Sequence, residues 1–385
     1  MAPTGVGGNT LANDPRAGSV AFVTDPGAFF ELTEKHVFSP VTVAPTPGSG
    51  VSRQIDFPAA GVIATIRCVF VGTVTVALGT AGTCTGHDNW PYGLLDEWVL
   101  GTGASTDVHR LSGQQLHMLR ALRNPGFVPN DTVDVIPGGA GAGAVIPTGA
   151  NVLVLTWEMP VAIDPTSLIG SLYSQSANLS VQGRIRQAVT ADLLTEAGTA
   201  GAPVIAGTWT FQVTSFEVPI AGGEAPQLVV PDLSRVHGLH SHRVPFANTG
   251  DVRAPLIRRN GQLDRLLFAA AWRDPAGAAG VAASYLGAEA NAAGFDRVRI
   301  EYAGTETPLD YNPAHFLAAE NLQDYADQLP LGYALDFLKE NAPRDVYLMT
   351  GVTDLTLIPT VNAAVVPAAG ARIEVVQETL FAPAG

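Results

Sequence analysis

Short runs in which apolar and polar positions alternate dominate the chain. VIATIRCVFV (62–71), TVTVAL (73–78), EWVLG (97–101), NVLVLTWEMPV (151–161), NLSVQGRIR (178–186) and TWTFQVTSFEVPI (208–220) occupy its first part. DRVRIEY (296–302), DVYLM (345–349), DLTLIPTV (354–361) and RIEVVQETLF (372–381) follow in the second. All are rich in β-branched and aromatic residues and end at turn formers, which predicts strands. Helical spacing predicts only Ser112–Asn124, Asn312–Gln328 and a short Tyr333–Lys339 stretch. Ser112 and Asn312 are strong helix N-caps, Gln115 completes a capping box after Ser112, and Pro313 fits a first helical position.

The pattern repeats. At an offset of 200, Gly61, Ile63 and Ile66 fall on Gly261, Leu263 and Leu266, and Asp96, Trp98 and Leu100 fall on Asp296, Val298 and Ile300. Leu111-Ser112 and Leu116 then fall on Tyr311-Asn312 and Phe316. SANLSVQGRI resembles VTDLTLIPTV at an offset of 176, and TFQVTSFEVP resembles RIEVVQETLF at 162. The offset shrinks because the first half carries Gly/Ala insertions at 137–149 and 196–207, which read as loops, like 275–294. Such an ordered series predicts a duplicated unit.

Each half supplies about eight short strands with one helix in a connection. The expected fold is therefore all-β: two tandem eight-stranded jelly rolls, each with one short helix in a connecting loop. The expected limits are an N-terminal arm at 1–19, a first roll at 20–220, a Gly/Pro linker at 221–226 and a second roll at 227–385. Residues 69–86, with five Thr and four Gly among the apolar positions, read as hairpin rather than membrane helix. MAPTGVGGNTLANDPRAG lacks the features of a signal peptide.

Gly and Pro number 41 and 28 among 385 residues, and charged residues make up only 15%. With 46% hydrophobic residues, this composition excludes disorder and long-helix architectures. The net charge of −14, with no run of basic residues, argues against nucleic-acid binding. Only Lys35 and Lys339 are lysines; the Arg preference reads as base composition.

Candidate chemistry is sparse. His237, His240 and His242 could share a metal with Asp232 or Asp251, but no fourth ligand stands at a standard spacing, so no metal or cofactor is expected. The plainer reading places these histidines in turns or against a neighbouring chain. Asp96, Glu97, Glu301 and Glu306 are available as paired acids for glycoside hydrolysis. The recurrence of Asp96 at Asp296 favours a shared strand-start role. Leu111-Ser112-Gly113 has the wrong flanks for a nucleophile elbow. Asn130 and Asn178 fit the glycosylation triplet without a secretion signal. Trp90 and Tyr92 read as an inter-domain or inter-subunit anchor, or alternatively as a sugar-stacking platform. Cys68 reads as a core residue, with a bridge to Cys84 the minor alternative. No catalytic residue is assigned.

The order of PYGLLDEWVLGTG, the V-x-R-L-S-G-x-x-L helix start (Val108–Leu116), the Gly-rich excursion and the V-x-x-x-E-V-P closing strand (Val213–Pro219) resembles the double jelly-roll major capsid proteins. That lineage includes tectivirus-like bacteriophages and adenovirus hexon. RVRIEYAGTETPLDYNPAHFLAAENL and GARIEVVQETL are similar in kind. The resemblance covers about residues 20–383. It implies a homotrimer whose six rolls form a pseudo-hexagonal tile of an icosahedral shell, located in the virion and assembled in host cytoplasm. Implied partners are neighbouring capsomers and minor capsid or vertex proteins, without sequence-specific nucleic-acid binding or a membrane span. Short Ala/Gly-rich loops depart from the tall outer towers of hexon. The competing expectations are an accessory virion protein that binds host glycans and a two-jelly-roll glycan or glycoprotein hydrolase.

Overall fold

The computed structural model describes residues 21–22, 34–37, 41–43, 52–57, 61–87, 89–102, 105–123, 134–141, 143–163, 168–174, 181–199, 202–217, 229–230, 235–257, 262–271, 295–302, 306–325, 332–337, 347–348, 354–363 and 371–381. The expected arm at 1–19, the linker at 221–226 and the 275–294 loop lie outside them, as do Asn130, Asn178, Asp232 and Lys339.

In the first half the strands are β1 (Ala21–Phe22), β2 (Glu34–Val37), β3 (Val41–Val43), β4 (Ser52–Asp56), β5 (Val62–Val76), β6 (Leu78–Gly86), β7 (Leu95–Thr102) and β8 (Ser105–Leu111). Helix α1 (Gly113–Arg123) comes next, followed by β9 (Gly149–Pro160), β10 (Leu172–Tyr173), β11 (Val181–Gln187), β12 (Leu194–Thr199) and β13 (Val204–Glu217). The second half holds β14 (Val229–Val230), β15 (Val236–Pro245), β16 (Gly250–Asp251), β17 (Ala254–Pro255), β18 (Gln262–Ala271), β19 (Phe295–Tyr302) and β20 (Glu306–Tyr311). Helix α2 (His315–Tyr325), β21 (Tyr333–Asp336), β22 (Tyr347–Leu348), β23 (Leu355–Val361) and β24 (Arg372–Phe381) complete it.

Both halves use one strand order. In the first, a sheet β2–β13–β5–β9 is layered against β4–β11–β7–β8. In the second, β15–β24–β18–β21 is layered against β16/β17–β23–β19–β20. Each half is a jelly roll, and α1 and α2 occupy the same connection in each. Alternation along β11 (buried at Val181, Gly183, Ile185 and Gln187) sends one face inward, as a half-buried strand requires. Between the layers of the first roll Trp98 stacks on Phe211 at 5.6 Å, and Trp157 stacks on Trp209 at 5.3 Å. The smaller second core gathers Leu266, Phe295, Val298, Leu357, Ile373 and Val375.

The capping box at Ser112 is present in both directions: Gln115 N–H donates to Ser112 Oγ at 3.3 Å, and Ser112 N–H donates to Gln115 Oε1 at 2.9 Å. Four local expectations differ from the structure. Helix α2 begins at His315, because Ala314 N–H is committed to Asp296 O and the first turn closes on Pro313 O; Pro313 precedes the helix. Tyr333–Asp336 is strand β21, held by pairing with β18, so a sheet edge overrides its helical spacing. Residues 196–207 contribute to β12 and β13 rather than forming one loop. Finally, β5 and β6 do not pair as a hairpin: β5 lies between β13 and β9, while β6 pairs with β12.

Candidate functional site at the seam between the rolls

The two rolls meet through backbone. Strand β8 of the first pairs in parallel with β15 of the second, with His109 opposite Leu239 and Arg110 opposite His240. This pairing joins the two halves in one nine-stranded sheet. The larger hydrophobic cluster also crosses the junction, carrying Val236, Leu239, Val376 and Phe381 of the second roll alongside the first-roll core.

Buried polar groups are concentrated at this seam. His237 Nε2 lies 2.9 Å from Glu378 Oε1, and both side chains are sealed from solvent at 0% and 1% exposure. The His109 ring meets His237 edge-on at 5.6 Å, with its Nε2 3.2 Å from His237 O. His240 Nε2 lies 2.7 Å from Asp107 O. Gly170 O accepts the His237 N–H at 2.9 Å. At φ +81°, with His237 Cβ 2.7 Å from where its own Cβ would stand, position 170 requires glycine.

Helix α1 fastens the same junction. Gln115 donates to Ser241 Oγ at 2.9 Å and reaches Glu374 Oε2 at 3.4 Å. The other Glu374 oxygen accepts from Arg372 at 2.9 Å and pairs with Arg243 at 3.2 Å. A buried carboxylate requires such partners.

The three candidate histidines therefore do not converge. All lie on β15, where the odd spacing of His237 and His240 sends them to opposite sheet faces. Burial pushes His242 down to about 4. Among the described residues no group of three or more His, Cys, Asp or Glu is arranged to hold a metal ion. Asp251 is engaged by Arg299 at 2.7 Å and by Thr360.

The candidate acids are dispersed into separate pairs. Asp96 binds Arg186 at 2.5 Å, Glu97 binds Arg110 at 2.8 Å, and Glu301 binds Arg253 at 2.6 Å. Asp96, Glu97 and Glu301 stand on middle strands of different rolls; the Glu306 side chain lies outside the described residues. Trp90, at 1% exposure, and Tyr92 are buried in the larger hydrophobic cluster, so they form no sugar-stacking platform. Trp90 donates to Gly139 O at 2.9 Å, ordering the Gly-rich connection over it, and Tyr92 donates to Asp134 at 2.9 Å. Cys68 and Cys84 are free and buried, and burial raises both thiols.

Sequence reasoning missed Gln115, Glu374 and Glu378 as seam residues. The available signal was the pair of carboxylates inside the otherwise apolar closing strand RIEVVQETLF.

No protein-family model and no curated protein matches the chain. Solved structures do. The major capsid protein of Sulfolobus turreted icosahedral virus aligns with a TM-score of 0.61 and 14% identity, over 90% of this chain and 98% of that one. A chain from the atomic structure of the same virus gives 0.64 and 15%, over 91% of each. VP54 of PBCV-1, fitted into a reconstruction of the virophage Sputnik, gives 0.60 and 12%, over 90% of this chain and 93% of that. The fold of this chain, two jelly rolls in tandem along nearly its whole length, is the fold of the double jelly-roll major capsid proteins.

Proposed function

We propose that the chain is a structural subunit of a virion shell, a major capsid protein rather than an enzyme. The observation that carries this reading is the seam. The two rolls are joined by backbone pairing in one nine-stranded sheet and by a hydrophobic cluster that takes residues from both, which supports a single block over two domains flanking a cleft. The likeness to capsid proteins over about 90% of the chain supports the same reading.

In the finer form of the proposal, three chains present six similar rolls as one pseudo-hexagonal tile of an icosahedral capsid, assembled in host cytoplasm with neighbouring capsomers and minor or vertex proteins. Residues 1–19 serve as an arm, 20–220 and 227–385 as the two rolls, and 221–226 as the linker between them. The test is the protein content of purified particles. The chain should be the dominant band, near its 40.0 kDa mass. A minor band would assign it to an accessory role, and absence from particles would overturn the reading.

A further inference from the structure

Imidazoles as well as backbone join the rolls at the seam. His109 of β8 donates from Nε2 to His237 O at 3.2 Å, and the two rings meet edge-on at 5.6 Å. His237 Nε2 and Glu378 Oε1 share a proton across 2.9 Å. On the opposite sheet face, His240 donates from Nε2 to Asp107 O of the first roll at 2.7 Å. All three rings are buried, His109 and His237 completely.

The charged groups around these rings are few among the described residues. Glu378 comes from β24, and Arg265 of β18 stands opposite it in the ladder, with its side chain outside the described residues. From β8 come the Asp107 carboxylate and Arg110, 3.8 Å apart, and Glu97 of β7 holds the same arginine at 2.8 Å. Further along β15 and β24, Glu374 is engaged by Arg372 and Arg243, and burial holds His242 at about 4. The turn at 168–172 brings no ionisable side chain. One proton on Nε2 serves each carbonyl bond. A second, on Nδ1, would make a cation where water is excluded, and cations on His109 and His237 would stand 5.6 Å apart.

Backbone strain collects at the same place. Leu168, fully buried, holds φ +56°, a left-handed conformation that a bulky side chain adopts only under constraint. Two residues on, Gly170 O accepts the His237 N–H. This first-roll turn is thus held strained against the histidine that pairs with Glu378, and parting of the rolls relieves it.

The geometry points to an acid-operated latch: protonation of His109, His237 and His240 parts β8 and the 168–171 turn from β15 while each roll keeps its own core. The second core is built from second-roll residues alone and contains none of the three. The inference stands apart from the capsid reading; under that reading, a fall in pH loosens the tile from within the chain. An imidazole exposed by opening takes its proton at about pH 6.5. Opening therefore takes up protons as pH falls, and the closed seam is fully favoured only above that value. Between pH 7.5 and 5.5, each histidine that titrates only in the open seam multiplies the opening equilibrium about tenfold.

Hydrogen exchange of the full chain, read by mass spectrometry and corrected for the intrinsic effect of pH, tests this. The seam-facing amides of 105–111, 168–174 and 236–241, the His237 N–H first among them, should exchange about tenfold to a thousandfold faster at pH 5.5 than at 7.5. Strands β5, β9, β19 and β23 should stay protected. His109→Gln with His240→Gln keeps a side-chain N–H for each carbonyl and removes two titrating rings, so the acid response should shrink to about tenfold or less. Glu378→Gln keeps an acceptor for His237 but removes the carboxylate that offsets its charge, and should move opening to higher pH by about one unit or more.

Seam amides that keep their rates at pH 5.5, or that exchange only at the same rate as β5, β9, β19 and β23, would overturn the latch. So would a double variant with the full wild-type response. Should the double variant be open already at neutral pH, Glu378→Gln decides: opening at an unchanged or lower pH overturns the latch.

Discussion

Asp96 accepts a hydrogen bond of 2.5 Å from Arg186, tying the start of β7 to the end of β11 across the sheet. The second roll makes the same tie with different chemistry: Asp296, at the start of β19, accepts from Asn362 at 2.6 Å just beyond β23. Asp296 follows Asp96 by 200 positions; Arg186 stands opposite Glu97 and Thr360 opposite Arg297, so Asn362 reaches Asp296 from two residues beyond the counterpart of Arg186. The recurrence of this carboxylate is thus a property of the fold. Since Asp96 and Arg186 are each about one-third exposed, Asp96→Ala should cost about 1 kcal/mol or less in urea unfolding. A loss several times larger would mean that Asp96 carries more than this tie.

The seam carboxylate should behave differently. Glu374 is buried beside Arg372, Arg243 and Gln115. Glu374→Ala leaves the buried Arg372 guanidinium without this partner, so a loss of about 3–5 kcal/mol is expected in chemical denaturation. A loss under about 1 kcal/mol would show that the seam does not depend on this network.

The halves and their matching strands were legible because repeat offsets and apolar alternation survive wherever a strand has one buried face. The seam was less legible. Strand β24 is buried along its whole length, so alternation there fades into a continuous run that conceals Glu374 and Glu378. Trp90 and Tyr92 stood among turn residues and suggested a surface; their burial depends on the Gly-rich connection that folds over Trp90, a contact between residues far apart in sequence. Tyr333–Asp336 followed a helical spacing that strand pairing overrode.

Acid should weaken the fold through His117. Its ring is buried against Tyr92 at a centroid distance of 3.7 Å, and burial, with Arg120 nearby, pushes it from the ordinary 6.5 down to about 3. Above pH 6.5 neither folded nor unfolded chain protonates it, and the stability is fully present. Between about 6.5 and 3 the unfolded chain takes a proton that the folded chain refuses. Stability then falls by roughly 1 kcal/mol per pH unit. His117→Phe should show a correspondingly shallower decline between pH 6.5 and 4.5. Parallel profiles for the two proteins would contradict the assignment.

If the chain builds a shell tile, as proposed above, electron microscopy of the purified protein will show it. The expected image is a threefold particle of about 120 kDa, three chains of 40.0 kDa each, seen in projection as a ring of six similar lobes. A field of isolated two-lobed particles of 40 kDa at micromolar concentration would contradict it.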